Sequence, residues 1–193
     1  MTKILKTILI STSALLLSCD NSTSTVTNIA TKIEFKDGDT ISKTNDLIIV
    51  KDGEACDTLI KYIPRNFADY YVKPVDIKFD KKLDFSNYEY KKEYITVTKE
   101  GVKEHGINFA GHYCFVYWGC GSPCKLSAVV DLNTGKVYDG ISSGIGYSFK
   151  KDSRLMVVNP PDSTNWYDKT VPYAIPEEYE WVDNEFRKIK TSS

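Results

Sequence analysis

Histidine is scarce in this chain: His105 and His112 are the only two in 193 residues. A hydrolytic nucleophile such as Ser122 would need a base brought to it by geometry that no spacing in the sequence supplies. His105, between Glu104 and Gly106, reads as an exposed turn residue. An excess of one charge is also missing. The 25 basic residues face 26 acidic ones, so no cationic field draws the chain to nucleic acid or to an anionic membrane. No apolar run approaches the roughly 20 residues that a bilayer core requires. There is no phosphate loop: Gly140, Gly144 and Gly146 surround Ser142 and Ser143, but no Lys-Ser/Thr pair follows. That stretch reads as a plain mobile loop. Internal repeats and a second domain are absent as well.

What is present begins at the first residues. Lys3 and Lys6 form a basic start, and a short apolar stretch from Ile8 to Leu17 follows, interrupted by Ser11, Thr12 and Ser13. It ends at Leu16-Leu17-Ser18-Cys19, with polar Asp20-Asn21-Ser22-Thr23 directly behind. A basic start, a short apolar core and a small residue before the cut define an export signal rather than a membrane span. The tetrapeptide resembles the lipobox of bacterial lipoproteins, whose cysteine becomes the lipidated first residue. The expected organisation is therefore a signal peptide at 1–18, lipidated Cys19 with a tether over 19–31, and one globular domain over 32–193. The tether is polar and poor in large apolar groups, with an r.m.s. reach of about 20 Å. Two or more acyl chains on Cys19 make a stable anchor, each buried CH₂ contributing roughly 0.8 kcal/mol. The expected location is the bacterial cell envelope, facing periplasm or exterior. Asp20 behind the cysteine resembles an inner-membrane retention signal of enteric-type bacteria.

The cysteines fit that address. Of Cys19, Cys56, Cys114, Cys120 and Cys124, four remain once Cys19 carries lipid, and an even number can pair in an oxidising compartment. Three connectivities exist; Cys120–Cys124 with Cys56–Cys114 is favoured. The first closes a small loop and contributes about 2 kcal/mol, the second closes a long one and contributes about 4 kcal/mol.

The expected fold is a β-rich α+β domain, an antiparallel meander sheet with one or two short helices. Thirteen tyrosines, eight phenylalanines and three tryptophans suit half-buried pleated surfaces. Leu47–Val50 forms a first apolar run before the Asp52-Gly53 turn signal. A short helix is expected within 54–72, limited by Pro64. Residues 73–93 alternate in charge sign and read as a solvated strand or loop. Within Tyr94 to Thr98, Ile95, Thr96, Val97 and Thr98 are all β-branched, so the stretch leans to a strand ending at Glu100-Gly101. Further strands are expected at Asn108–Trp118, Leu126–Leu132, Lys136–Asp139, Tyr147–Lys150, Arg154–Asn159, Glu178–Val182 and Glu185–Ile189, with turns at Asn133-Thr134-Gly135 and Asp183-Asn184. Trp166 and Tyr167, in a loop-like stretch, are the best candidates for an aromatic platform toward a glycan or peptide, and the expected partner of the protein is an envelope protein or glycan ligand.

One segment stands out: Asn108-Phe109-Ala110-Gly111-His112-Tyr113, then Trp118-Gly119-Cys120-Gly121-Ser122-Pro123-Cys124, then Asp131 through Tyr138 with Thr134-Gly135. Over roughly residues 90–160 it resembles a group of small exported bacterial proteins with an NFAGHY…WGCG…C…D…TG core. The resemblance implies kinship and export rather than a reaction. This chain departs from the group at Cys114, which makes a Cys56–Cys114 bridge a local feature. Alternation puts His112, Cys114, Val116 and Trp118 on one strand face and Phe109, Gly111, Tyr113, Phe115 and Tyr117 on the other. Both faces are apolar, so the strand is expected to be covered on both sides, and Gly111 marks a bulge or a close backbone approach.

His112, Trp118 and Asp131 are the candidate functional residues. A buried histidine beside a turn-stapling disulfide is the structural reading. A redox reading makes Cys120–Cys124 exchangeable, although familiar pairs are one residue closer. A metal reading uses His112, Cys114, Cys120 and Cys124, although H-x-C-x5-C-x3-C matches no common zinc pattern. No catalytic residue, metal or cofactor is assigned. The expected function is a membrane-anchored envelope lipoprotein acting as a binding or structural module. The alternative is an envelope thiol-redox or metal-handling protein using Cys120, Cys124 and His112.

Overall fold

The computed structural model describes residues 39–43, 47–52, 55–88, 93–161 and 165–190; the expected leader, lipidated Cys19 and tether lie outside the described residues. Strands β1 (Asp39–Lys43), β2 (Leu47–Asp52) and β3 (Ala55–Lys61) come first, followed by a 3-10 turn at Phe67–Tyr70 and an extended segment. Helix α1 (Ile95–His105) leads into the hairpin β4 (Tyr113–Gly121) and β5 (Cys124–Asp131), and then β6 (Val137–Asp139). Strands β7 (Tyr147–Phe149), β8 (Leu155–Val158) and β9 (Trp166–Asp168) follow. A second 3-10 turn at Pro172–Ala174 precedes β10 (Glu177–Val182) and β11 (Glu185–Lys188). No described helix is long and apolar enough to cross a membrane.

The domain is a β-rich α+β fold, and every strand pair within its sheets is antiparallel. The described strands divide among three sheets, ordered β1-β2-β3-β9, β11-β10-β8-β7 and β4-β5-β6. The meander is interrupted because β9 leaves its chain neighbours and pairs with β3, Ile60 opposite Tyr167. Trp166 and Tyr167 are thus half-buried strand residues rather than a loop.

The β4-β5-β6 sheet is the middle layer. Cys114, Val116, Ala128 and Val130 point to a core completed by Tyr88, Val102, Leu132 and Val137. Phe115 and Val129 point the other way, to a core with Phe109, Met156, Val158 and Trp181. The alternation expected for this strand holds, and both faces are covered at Cys114, Phe115 and Val116, where the strand separates two apolar layers; from Tyr117 on it runs out toward solvent. In the second core Phe109 packs edge-on to Phe149 and Trp181, with ring centroids 6.1 and 6.2 Å away, a geometry that aligns ring edges with ring faces.

The strand expected over 94–98 is instead the start of α1. Thr98 is fully buried and its hydroxyl donates to the Tyr94 carbonyl, 2.8 Å away. Thr98, Gly101 and Val102, spaced i, i+3 and i+4, form the buried helix face. Gly101 is where α1 meets β4: a Cβ there would lie 2.4 Å from Val116 Cγ1. The glycine that argued against a helix is the point at which the helix can approach the sheet, so packing overrides propensity.

The strand expected from Asn108 starts only at Tyr113. Phe109 and Tyr113 exchange backbone hydrogen bonds of 3.1 and 3.0 Å across a tight turn, with Ala110 at φ 42° and Gly111 at φ 86°. Gly111 is a close approach, as its position suggested: its amide donates to Lys151 O at 2.7 Å, and a Cβ would meet Lys73 O at 3.2 Å. The glycine-serine loop after Gly140 is anchored rather than free. Asn159 Oδ1 accepts from Ser143 Oγ, Gly144 N and Ile145 N at 2.8, 2.9 and 3.1 Å. His105 is the exposed last residue of α1.

Candidate functional site

The segment 108–113 docks the edge of β4. The Asn108 side chain donates to Phe115 O at 2.9 Å and accepts from Phe115 N at 2.7 Å. One amide side chain thereby replaces a missing strand neighbour and satisfies both backbone groups of Phe115. Phe109 is fully buried. Much of the segment's unusual composition is therefore spent on edge protection, a tight turn and a ring cluster.

His112 and Asp131 are brought together by the β4–β5 pairing. Nε2 of His112 lies 3.6 Å from Asp131 Oδ1, beyond hydrogen-bond range. The Asp131 carboxylate is already engaged: Oδ1 accepts from Asn133 N and Oδ2 from Thr134 Oγ1, both at 2.8 Å. Gly135, at φ 84°, donates its amide to Asp131 O at 2.7 Å. Asp131 thus clamps the β5–β6 turn, an Asx-type arrangement. The His112 ring lies on Tyr113, centroids 4.1 Å apart, and Tyr113 Oη donates to Asn184 Oδ1 at 2.8 Å. Burial raises the Tyr113 phenol above its usual range, and the nearby Asp131 charge adds to that. The Thr134 hydroxyl is directed at the carboxylate and not at the imidazole.

Trp118 stacks on Tyr94, centroids 4.8 Å apart, and packs against the first core. It joins α1's entry to the end of β4. Cys120 and Cys124 form a disulfide with Cα atoms 5.1 Å apart at the tip of the β4–β5 hairpin, as the count and the close spacing predicted. The Cys56–Cys114 bridge is not formed. Cys114 is a free, buried thiol whose pKa burial pushes up to about 12, and its Sγ lies 3.9 Å from Gly101 O, against α1. A thiol on the α1 face of β4 is sealed inside the core, while Cys56 sits in β3 opposite Lys51. His112 precedes β4 and the disulfide ends it, so about 8 residues at about 3.3 Å each, some 26 Å, separate them. The arrangement that joined His112 to Cys120 and Cys124 in one site is not assembled. The described residues hold no cluster of three His, Cys, Asp or Glu side chains with metal-binding geometry.

The feature that sequence reasoning missed lies beside α1. An open cleft of about 520 Å³ runs between α1 and the extended segment from Ile77 to Leu83. Phe79, Leu83, Val102, Ile107 and Leu132 contribute its apolar surface. Lys81, Lys82, Lys99 and Lys103 also line it, and among the described residues no acidic side chain does. Lys81 Nζ donates to Asn133 O, whereas Lys82, Lys99 and Lys103 form no ion pair among the described residues. The i, i+3, i+4 spacing of Lys99, Val102 and Lys103 was the available signal. Reading that stretch as a strand and turn hid it. No family model, curated protein or solved structure matches the chain.

Proposed function

We propose that the protein is a bacterial envelope lipoprotein, anchored through acyl chains on Cys19, whose β-rich domain is a binding module. The observation that carries the reading is the basic-apolar leader ending in Leu16-Leu17-Ser18-Cys19 ahead of a polar tether. The Cys120–Cys124 disulfide supports export, since such bridges persist in oxidising compartments. The open cleft beside α1 supports binding, because its volume lies in the range of about 300–1,000 Å³ usual for small-molecule sites. Metabolic labelling of the expressing bacterium with an alkyne fatty acid tests the anchor. The wild-type chain takes up the label and fractionates with membranes; Cys19→Ala does neither. Equal labelling of both chains rejects the proposal.

A further inference from the structure

We propose that the cleft beside α1 binds a single-chain amphiphile with an anionic head, such as a fatty acid. The inference names a ligand class for the binding module and rests on that part of the functional reading.

Two properties of the cleft point the same way. Its apolar surface continues the first core, against which Phe79, Leu83 and Ile107 pack, while buried Val102 and Leu132 belong to it. An alkyl chain laid there exchanges water for hydrocarbon on both sides, about fourfold in affinity for each CH₂ buried. The charge is one-sided in a chain that is otherwise balanced. Among the described residues four lysines and no acid line the cleft, against a net charge of −1 for the whole protein. Lys99 and Lys103 stand one turn apart on α1, and Lys81 and Lys82 lie on the facing segment, so an anionic head is met from both walls. Lysine suits this position because its stem covers apolar surface while its ammonium stays in water. Among the described lining residues there is no arginine, which recognises phosphate and carboxylate bidentately, and Phe79 is the only aromatic. A stacked nucleic-acid base finds no platform.

The test is isothermal titration of the full chain carrying Cys19→Ala, so that no covalent acyl group competes, with sodium dodecanoate below its micellar range. One saturable site is expected, with octanoate bound on the order of 100-fold more weakly. Lys99→Glu/Lys103→Glu weakens dodecanoate at least tenfold, Lys99→Arg/Lys103→Arg retains binding, and dodecyltrimethylammonium binds at least tenfold more weakly than dodecanoate. Both double variants replace exposed side chains, and thermal melts report whether they fold; if the Glu pair melts early, Lys99→Gln/Lys103→Gln replaces it, with the same direction of effect. No saturable binding, equal affinity for the cationic detergent, or indifference to the Glu pair overturns the proposal. Binding to anionic phospholipid vesicles without binding to free dodecanoate also overturns it and assigns the lysines to a bilayer surface. Self-association in sedimentation, abolished by the Glu pair and unaffected by dodecanoate, assigns the cleft to a second copy. Failure here leaves Cys19 labelling intact, and loss of labelling leaves this titration intact, so the two readings fail separately.

Discussion

Replacing Gly101 by alanine tests how α1 is held. On an exposed helix the change stabilises, by about 1 kcal/mol, because alanine is the better helix former. Here the added Cβ would lie 2.4 Å from Val116 Cγ1 and 2.8 Å from Cγ2, closer than side-chain atoms pack. Val116 is 2% exposed and sits in a paired strand, opposite Ala128, so its retreat displaces the middle sheet. Overpacking of this kind costs about 1–3 kcal/mol, and the depth of the overlap places it in the upper half of that range. The two effects oppose each other, leaving a net destabilisation of about 1–2 kcal/mol. For a domain of this size the melting temperature falls by roughly 2–8 °C. The sharper measurement is a double-mutant cycle by urea unfolding. With Val116→Ala the methyls that collide are gone, so Gly101→Ala becomes neutral or stabilising by about 1 kcal/mol. The coupling energy is then about 2 kcal/mol, within the span observed for residues in contact. A rise in stability for Gly101→Ala in the wild-type background, or the same change in both backgrounds, would refute the close approach of α1 to β4.

Two further outcomes are expected. Asn159→Ala removes the acceptor shared by Ser143, Gly144 and Ile145 and puts alanine at φ 52°; it costs about 2–4 kcal/mol and speeds amide exchange at Gly144 and Ile145, whereas unchanged protection there refutes the anchoring of that loop. At alkaline pH, burial, joined by a hydrogen bond to Glu178, raises the Tyr62 phenol, and burial pushes Tyr147 up to about 12. Phenols raised in the fold contribute stability that is complete below their unfolded value of 10.0 and is lost as pH rises past it. Unfolding midpoints should therefore fall above pH 10 while absorbance at 295 nm shows a late-titrating group of tyrosines; a single ordinary titration step would contradict this.

How much was legible in the sequence follows from the range of the interactions involved. Turns were legible because their chemistry is local. Gly135 and the Asp183-Asn184 pair all take positive φ, at 84°, 54° and 64°, and these residue types tolerate it. The apolar runs of β5 and β8 were legible because a strand covered on both faces needs apolar residues at every position. Asn108 was not, since nothing in a sequence says that one amide will serve both backbone groups of Phe115. Cys114 was misassigned because an even cysteine count permits full pairing without requiring it, and the place of Cys114 under α1, where its thiol stays free, is set by β4's register.

The amino-acid sequence by itself determined the β-rich class, most strand positions and turns, the Cys120–Cys124 staple, and the expectation of a leader over 1–18 that stops before Cys19. Each of these depends on residues close together in the chain. Tertiary structure alone decided that residues 95–105 are helical, that β9 joins β3, and that His112 stands apart from the disulfide. It also decided that four lysines from two distant segments surround one apolar cleft. The physical reason is that these outcomes depend on which surfaces are buried against one another. That burial, from Gly101 against Val116 outward, outweighs the fraction of a kilocalorie per residue that local preference supplies.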